Sequence, residues 1–184
     1  MDNILAVHVE TTGVNPETDQ IVSISLIACN ADFSPKAILH LYRKNVPLNL
    51  VNKSYQYHGI SSEFLQENGL GDASFMEELL NFLVAELNLD SPIKLLGYNV
   101  IEFTKPFLVS LLEEHDIELR FSINHLDVYS LLAVVFEDIT IKEAVGLFGT
   151  KSAFTKEEIS LKKCLAFVNI FRSLKKRWRK MLDG

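Results

Sequence analysis

Two side chains near the N-terminus could act together on a metal ion or a proton. In the run Ile4-Leu-Ala-Val-His-Val-Glu-Thr-Thr-Gly, His8 and Glu10 stand two positions apart in an apolar, β-rich segment. Residues so spaced in a strand project from one face, so an imidazole and a carboxylate share the end of the strand, a common place for a metal site. The plainer alternative is a leftover pair on a solvated strand end. A second grouping lies far along the chain, where Arg172, Lys175, Lys176, Arg177, Arg179 and Lys180 surround Trp178 with Asp183 as the one acid. Such a segment suits phosphate contacts plus base stacking, or an acidic protein partner. Cations also collect at a helix C-terminus simply because its dipole is negative there. Cys29 and Cys164 have no Cys-x-x-Cys spacing and no companion histidines, which points to buried free thiols.

The elements that must carry these groups follow from periodicity. Ile4 to Val9 and Gln20 to Asn30 read as two antiparallel strands around the turn chemistry of Glu10 to Pro16, and Ala37 to Arg43 as a third after Ser34-Pro35. From Ser74 to Leu89 the apolar residues recur at helical spacing, with Ser74 and Glu77 placed for a capping box. Strand signals at Ile93 to Gly97 and Ile123 to Leu126 alternate with helical ones at Thr104 to His115 and Asp127 to Phe136. That alternation adds parallel strands to the meander, giving an α/β mixed five-stranded sheet with helices on its faces. A helix from Ile141 to Phe148 stops at Gly149, and a last one runs from Thr155, with Glu158 completing a second capping box, to Met181.

The 184 residues, 48% hydrophobic and 23% charged, fit a single domain over residues 1–184 with a substantial core. No run approaches the roughly 18 apolar residues that span a membrane, and no basic-then-apolar leader opens the chain, so a soluble, intracellular, cytoplasmic protein is expected. The net charge is −6, but residues 171–184 carry +5, which leaves −11 on the remainder. An acidic body weighs against a nonspecific binder of polyanions.

Taken in order, the motifs resemble those of the DEDD 3′–5′ exonucleases of DEDDh type, the proofreading-exonuclease family. His8-Val-Glu-Thr-Thr-Gly is similar to the family's Asp-x-Glu-Thr-Thr-Gly, and Tyr57-His-Gly-Ile-Ser to its His-Gly-Ile-Thr segment. Gly97-Tyr-Asn-Val-Ile-Glu-Phe-Thr resembles Gly-His-Asn-x-x-Phe-Asp within one residue of spacing, and Asp127 matches a recurrent aspartate that opens a helix. Aligning the third motif on Leu161 and Phe171 puts Glu158 at its histidine and Lys163 at its aspartate.

The resemblance implies a ribonuclease H-like exonuclease fold and two divalent cations held by four acids. Here those acid positions are His8, Glu10, Thr104 and Lys163, and the general-base position is Glu158. Magnesium demands hard oxygen ligands, for which an imidazole and a hydroxyl are poor substitutes, and an ammonium repels a cation. The expectation is therefore a catalytically degenerate domain without a cofactor, in which Lys163 pairs with Glu10. Such a domain would serve as an accessory or interaction subunit with a protein partner, single-stranded nucleic acid, or both, and no membrane. Thr11, Thr12, His58 and Asn99 would join the basic tail in touching nucleic acid, although His58 also suits a packed or capping role and Gly13 a simple turn. Two alternatives stand beside this reading. One is an active magnesium- or manganese-dependent exonuclease that recruits Asp127, Glu102 or Glu158, and the other is a purely architectural interaction domain.

Overall fold

Alternation along the first strand decides which face of the sheet receives which helix. The computed structural model describes residues 3–134, 136, 140–148 and 154–182. Strand β1 (Ile4–Thr11) is buried throughout. Its odd positions Leu5, Val7 and Val9 pack with Phe75 and Leu79 of helix α3 (Asp72–Glu86) and Phe107 and Leu111 of helix α4 (Lys105–Glu113). Its even positions Ile4 and Ala6 pack with Cys164, Phe167 and Val168 of helix α7 (Ile159–Leu182). Each of the large side chains so buried contributes about 1.5–3 kcal/mol, which fixes the register of β1 and sends His8 and Glu10 to the α7 face.

Strand β2 (Ile21–Cys29) pairs antiparallel with β1 and with β3 (Pro35–Tyr42), while β4 (Lys94–Gly97) and β5 (Leu126–Asp127) add in parallel. The five-stranded order is β3-β2-β1-β4-β5, the mixed sheet expected from the sequence. Gly97 permits the close approach of β4 to β1, since a Cβ there would lie 2.8 Å from the carbonyl oxygen of Val7. Cys29 and Cys164 are buried and unpaired, as their surroundings suggest.

Several elements depart from expectation. The sequence reading places nothing between Arg43 and Ser74, where the structure has α1 (Leu48–His58) and α2 (Ser62–Asn68). These helices are mostly polar and bury few residues, chiefly Val51 and Leu65, around Val22, Val46 and Ile60. Helix α3 begins at Asp72 after Gly71, so Ser74 lies inside the helix and caps nothing. Ile123 is 92% exposed and precedes a strand of only two residues, β5, instead of starting a four-residue one. Helix α5 spans Val128–Ala133, and α6 spans Ile141–Phe148; Gly149, the expected stop, lies outside the described residues.

Candidate functional site

Small polar residues let α7 come close to the sheet. Ser25 of β2 and Ser160 of α7 meet with hydroxyl oxygens 2.9 Å apart, and the Ser160 hydroxyl donates to the His8 carbonyl at 3.3 Å. One turn further along α7, Lys163 therefore passes over the end of β1. Its Nζ donates to Glu10 Oε1 at 2.7 Å, and His8 Nε2 reaches the same oxygen at 3.2 Å. The Lys163 and Glu10 side chains are only 14% and 10% exposed. The pairing of Lys163 with Glu10 is thus present in the structure.

The protonation states follow from burial and from these contacts. Burial by itself would raise the Glu10 carboxyl, but the hydrogen bond from His8 and the Lys163 ammonium outweigh it and draw the group down to about 2. For His8 burial dominates and lowers the imidazole, so the ring is neutral at pH 7 despite its acidic neighbour. A neutral ring beside an ionised carboxylate carries its proton on Nε2. The buried Nδ1 then has no hydrogen-bond partner among the described residues, and the ring edge rests on Phe167 with centroids 5.7 Å apart.

Thr104 reaches its position by an unusual route. The family pattern has two residues between its asparagine and phenylalanine, whereas Val100, Ile101 and Glu102 separate Asn99 from Phe103 here. Residues Val100–Thr104 form a π-helical turn, closed by the Lys105 N–H on the Val100 carbonyl. A π turn takes in one residue more than an α turn, so the insertion is absorbed and Thr104 still points inward, fully buried. Its hydroxyl also finds no partner among the described residues. Glu102, displaced to the outer side of this turn, is exposed.

The other acids have structural partners. Asp127 Oδ1 accepts from the N–H groups of Tyr129 (2.8 Å), Asn99 (3.2 Å) and Ser130 (3.3 Å), and Oδ2 from that of Val100 at 2.9 Å. It caps α5 and braces the π turn at once. Glu158 accepts from the Thr155 N–H at 2.9 Å, and its own N–H donates to the Thr155 hydroxyl at 3.3 Å. These are the reciprocal bonds read from sequence as a capping box, but they close a turn ahead of α7, which begins at Ile159 and not at the expected Thr155, and they turn the carboxylate toward the chain's own backbone.

A cleft of about 610 Å³ opens over the pair. His8, Glu10, Thr11, Thr12, His58, Asn99 and Lys163 line it, so the structure brings these predicted residues together. Thr104 and Glu158 do not line it, and neither does any residue of the basic tail. Arg172 lies nine positions beyond Lys163 along α7 and Lys180 seventeen, roughly 14 and 26 Å of helix rise. Lys53, Tyr57, Tyr98 and Phe103 also line the cleft and were not singled out from sequence. They come from separated segments; Tyr57, Tyr98 and Phe103 stand inside the quoted motif segments, whereas Lys53 offered no local signal.

Two cleft residues are tied down locally. His58 Nδ1 accepts the Ile60 N–H at 3.0 Å, so Nε2 carries the proton toward Ser54 Oγ at 2.8 Å, and burial lowers the ring's pKa. The Thr12 hydroxyl donates to Asp19 at 3.2 Å and accepts the Gln20 N–H at 3.0 Å. Gly13 is needed for space, because a Cβ there would run into the Asp19 carboxylate. Asn99 holds a left-handed backbone with φ 49° and is exposed at the rim.

No protein-family model matches the chain, and no curated protein matches it in sequence. Solved structures do match in shape. E. coli Exonuclease I in complex with a dT13 oligonucleotide superposes with a TM-score of 0.72 at 14% identity, over 98% of this chain and 42% of that one. The nuclease domain of 3′hExo, a DEDDh family member bound to rAMP, gives 0.65 at 14% identity over 95% of this chain and 92% of that one. The fold is a ribonuclease H-like, exonuclease-like fold. Exonuclease I from Methylocaldum szegediense shares this exonuclease fold, with a TM-score of 0.62 at 17% identity over 96% of this chain and 41% of that one. The chain thus spans well under half the length of the Exonuclease I proteins it matches. Within this exonuclease fold no described helix is long and apolar enough to cross a membrane.

Proposed function

We propose that this chain is a non-hydrolytic exonuclease-like domain, an accessory or interaction subunit in nucleic-acid metabolism whose cleft holds single-stranded nucleic acid without cleaving it. One observation carries the reading: a single oxygen of Glu10 accepts both the Lys163 ammonium and the His8 imidazole. The residues present do not fit a pair of divalent cations. Glu10 is the one acid among the four positions, Thr104 supplies a buried hydroxyl, and the Lys163 ammonium brings positive charge to the same place. Among the described residues no three His, Cys, Asp or Glu side chains cluster as metal ligands would. Against an active enzyme with substitute ligands, Asp127 and Glu158 are engaged with backbone N–H groups and Glu102 faces solvent.

Retained binding is supported by the cleft's composition. Lys53 offers a cation for a phosphate, while Tyr57, Tyr98 and Phe103 offer rings for a base. Incubation with 3′-labelled and 5′-labelled single-stranded DNA and RNA, in magnesium or manganese, tests both parts. Full-length strands with saturable, salt-dependent binding that Lys53→Gln weakens are expected. Metal-dependent shortening from the 3′ end would defeat the reading.

A further inference from the structure

Helix α7 outruns the domain it belongs to. Ile170 is the last of its buried residues, and the twelve that follow, 171–182, extend about 18 Å. At about 100° per residue, Phe171, Leu174, Trp178, Met181 and Leu182 fall within one arc roughly 100° wide. Arg172, Lys175, Lys176, Arg177, Arg179 and Lys180 occupy the rest of the circumference. Beyond Phe171, which packs on Phe33, the apolar arc is uncovered: Leu174 is 42% exposed, Trp178 63%, Met181 73% and Leu182 71%. The stub is anchored beside it, with the Lys175 ammonium on the Ala31 carbonyl and 5.3 Å from the centre of the Phe33 ring.

We infer that this stub is a docking helix for a partner protein that presents an apolar groove edged with carboxylates. Charge decides among the possible occupants. A second copy laid stripe to stripe would set six cations against six. An extended anionic membrane would meet the −11 carried by the remainder of the chain, whereas a groove engages the helix alone. Single-stranded nucleic acid would find one ring to stack on, Trp178, and three exposed aliphatic side chains of no use to it. An amphipathic helix with cationic flanks in an acid-edged groove satisfies both kinds of surface. The inference concerns a different surface from the cleft and holds whether or not the cleft hydrolyses anything.

Trp178 is the chain's sole tryptophan and reports directly on this arc. The full chain is titrated at physiological salt with three probes: calcium-loaded tryptophan-free calmodulin as a defined acid-edged groove, a dT oligonucleotide, and phosphatidylserine vesicles. A saturable blue shift of Trp178 emission with calmodulin alone is expected. Leu174→Ser with Met181→Ser keeps the reporter and should weaken binding by about tenfold or more, and Arg177→Gln with Lys180→Gln should lower its salt dependence. These positions are exposed, so unchanged thermal midpoints will show that the variants fold. The proposal is overturned if calmodulin gives no shift, if the oligonucleotide or the vesicles shift Trp178 at equal or lower concentration, if the serine variant binds undiminished, or if sedimentation shows that the shift is self-association.

Discussion

Replacing Lys163 by methionine keeps the aliphatic stem and removes only the charge. What remains is a Glu10 carboxylate 10% exposed, with the His8 Nε2–H as its one side-chain donor among the described residues. Breaking a buried ion pair on one side costs about 3–5 kcal/mol, and the surviving His8 bond places this case near the lower end. For a chain of this length, about 3 kcal/mol corresponds to a thermal midpoint lower by roughly 6–12 °C. Replacing both members, Glu10→Gln with Lys163→Met, removes both buried charges and should return to within about 1 kcal/mol of the parent. Acid supplies a second arm. In the parent the Glu10 carboxyl lies at about 2, below its ordinary 4.5, so the pair's contribution is complete above the ordinary value and lost as pH falls toward the folded one. Without Lys163, burial pushes that carboxyl upward, so the penalty should be greatest near neutrality and shrink on acidification. Urea unfolding across pH reads both effects. A single variant within about 0.5 kcal/mol of the parent, or a double variant as unstable as the single, would refute the buried-pair argument.

Three further outcomes follow from the same geometry. Asp127→Ala strands four backbone N–H groups and should lower stability by about 2–4 kcal/mol in urea unfolding; an unchanged midpoint would mean that the brace is idle. Gly97→Ala forces a Cβ toward the Val7 carbonyl oxygen and should cost at least about 1–3 kcal/mol, whereas a neutral result would show β4 free to move off β1. Burial lowers the rings of His8, His40 and His58, so below about pH 6.5 the unfolded chain takes up more protons than the folded one. Stability should therefore fall by about 1–3 kcal/mol between pH 7 and pH 5, and a midpoint constant over that window would count against neutral buried rings.

Much of the site was legible because it depends on strand alternation. His8 and Glu10 share a face by spacing alone, and the apolar positions of β1 tell which face is covered. The partnership with Lys163 needed the family pattern, since 153 positions separate the two residues. Local strings were less dependable. Thr155 and Glu158 do exchange the reciprocal bonds, but in a turn four residues ahead of the helix start at Ile159, and the same spacing at Ser74 and Glu77 occurs inside a helix that starts two residues earlier. Helices α1 and α2 escaped because they are mostly polar and rest on few buried apolar side chains. Asp127 was legible as the residue that opens α5, but not as the acceptor for Asn99 and Val100, because the sheet brings those residues within reach only after β4 and β5 pair.

The π turn at Val100–Thr104 separates two kinds of likeness. A motif written as a string is broken by one added letter, whereas a motif made as a shape survives if a single widened turn takes up the slack. Length can thus vary inside a stretch that lines the cleft while Thr104 still faces inward. Removing Glu102 should tighten this turn to an ordinary α turn and leave Thr104 facing inward. A comparison by shape across such a site will keep finding kinship after a comparison by letters has lost it.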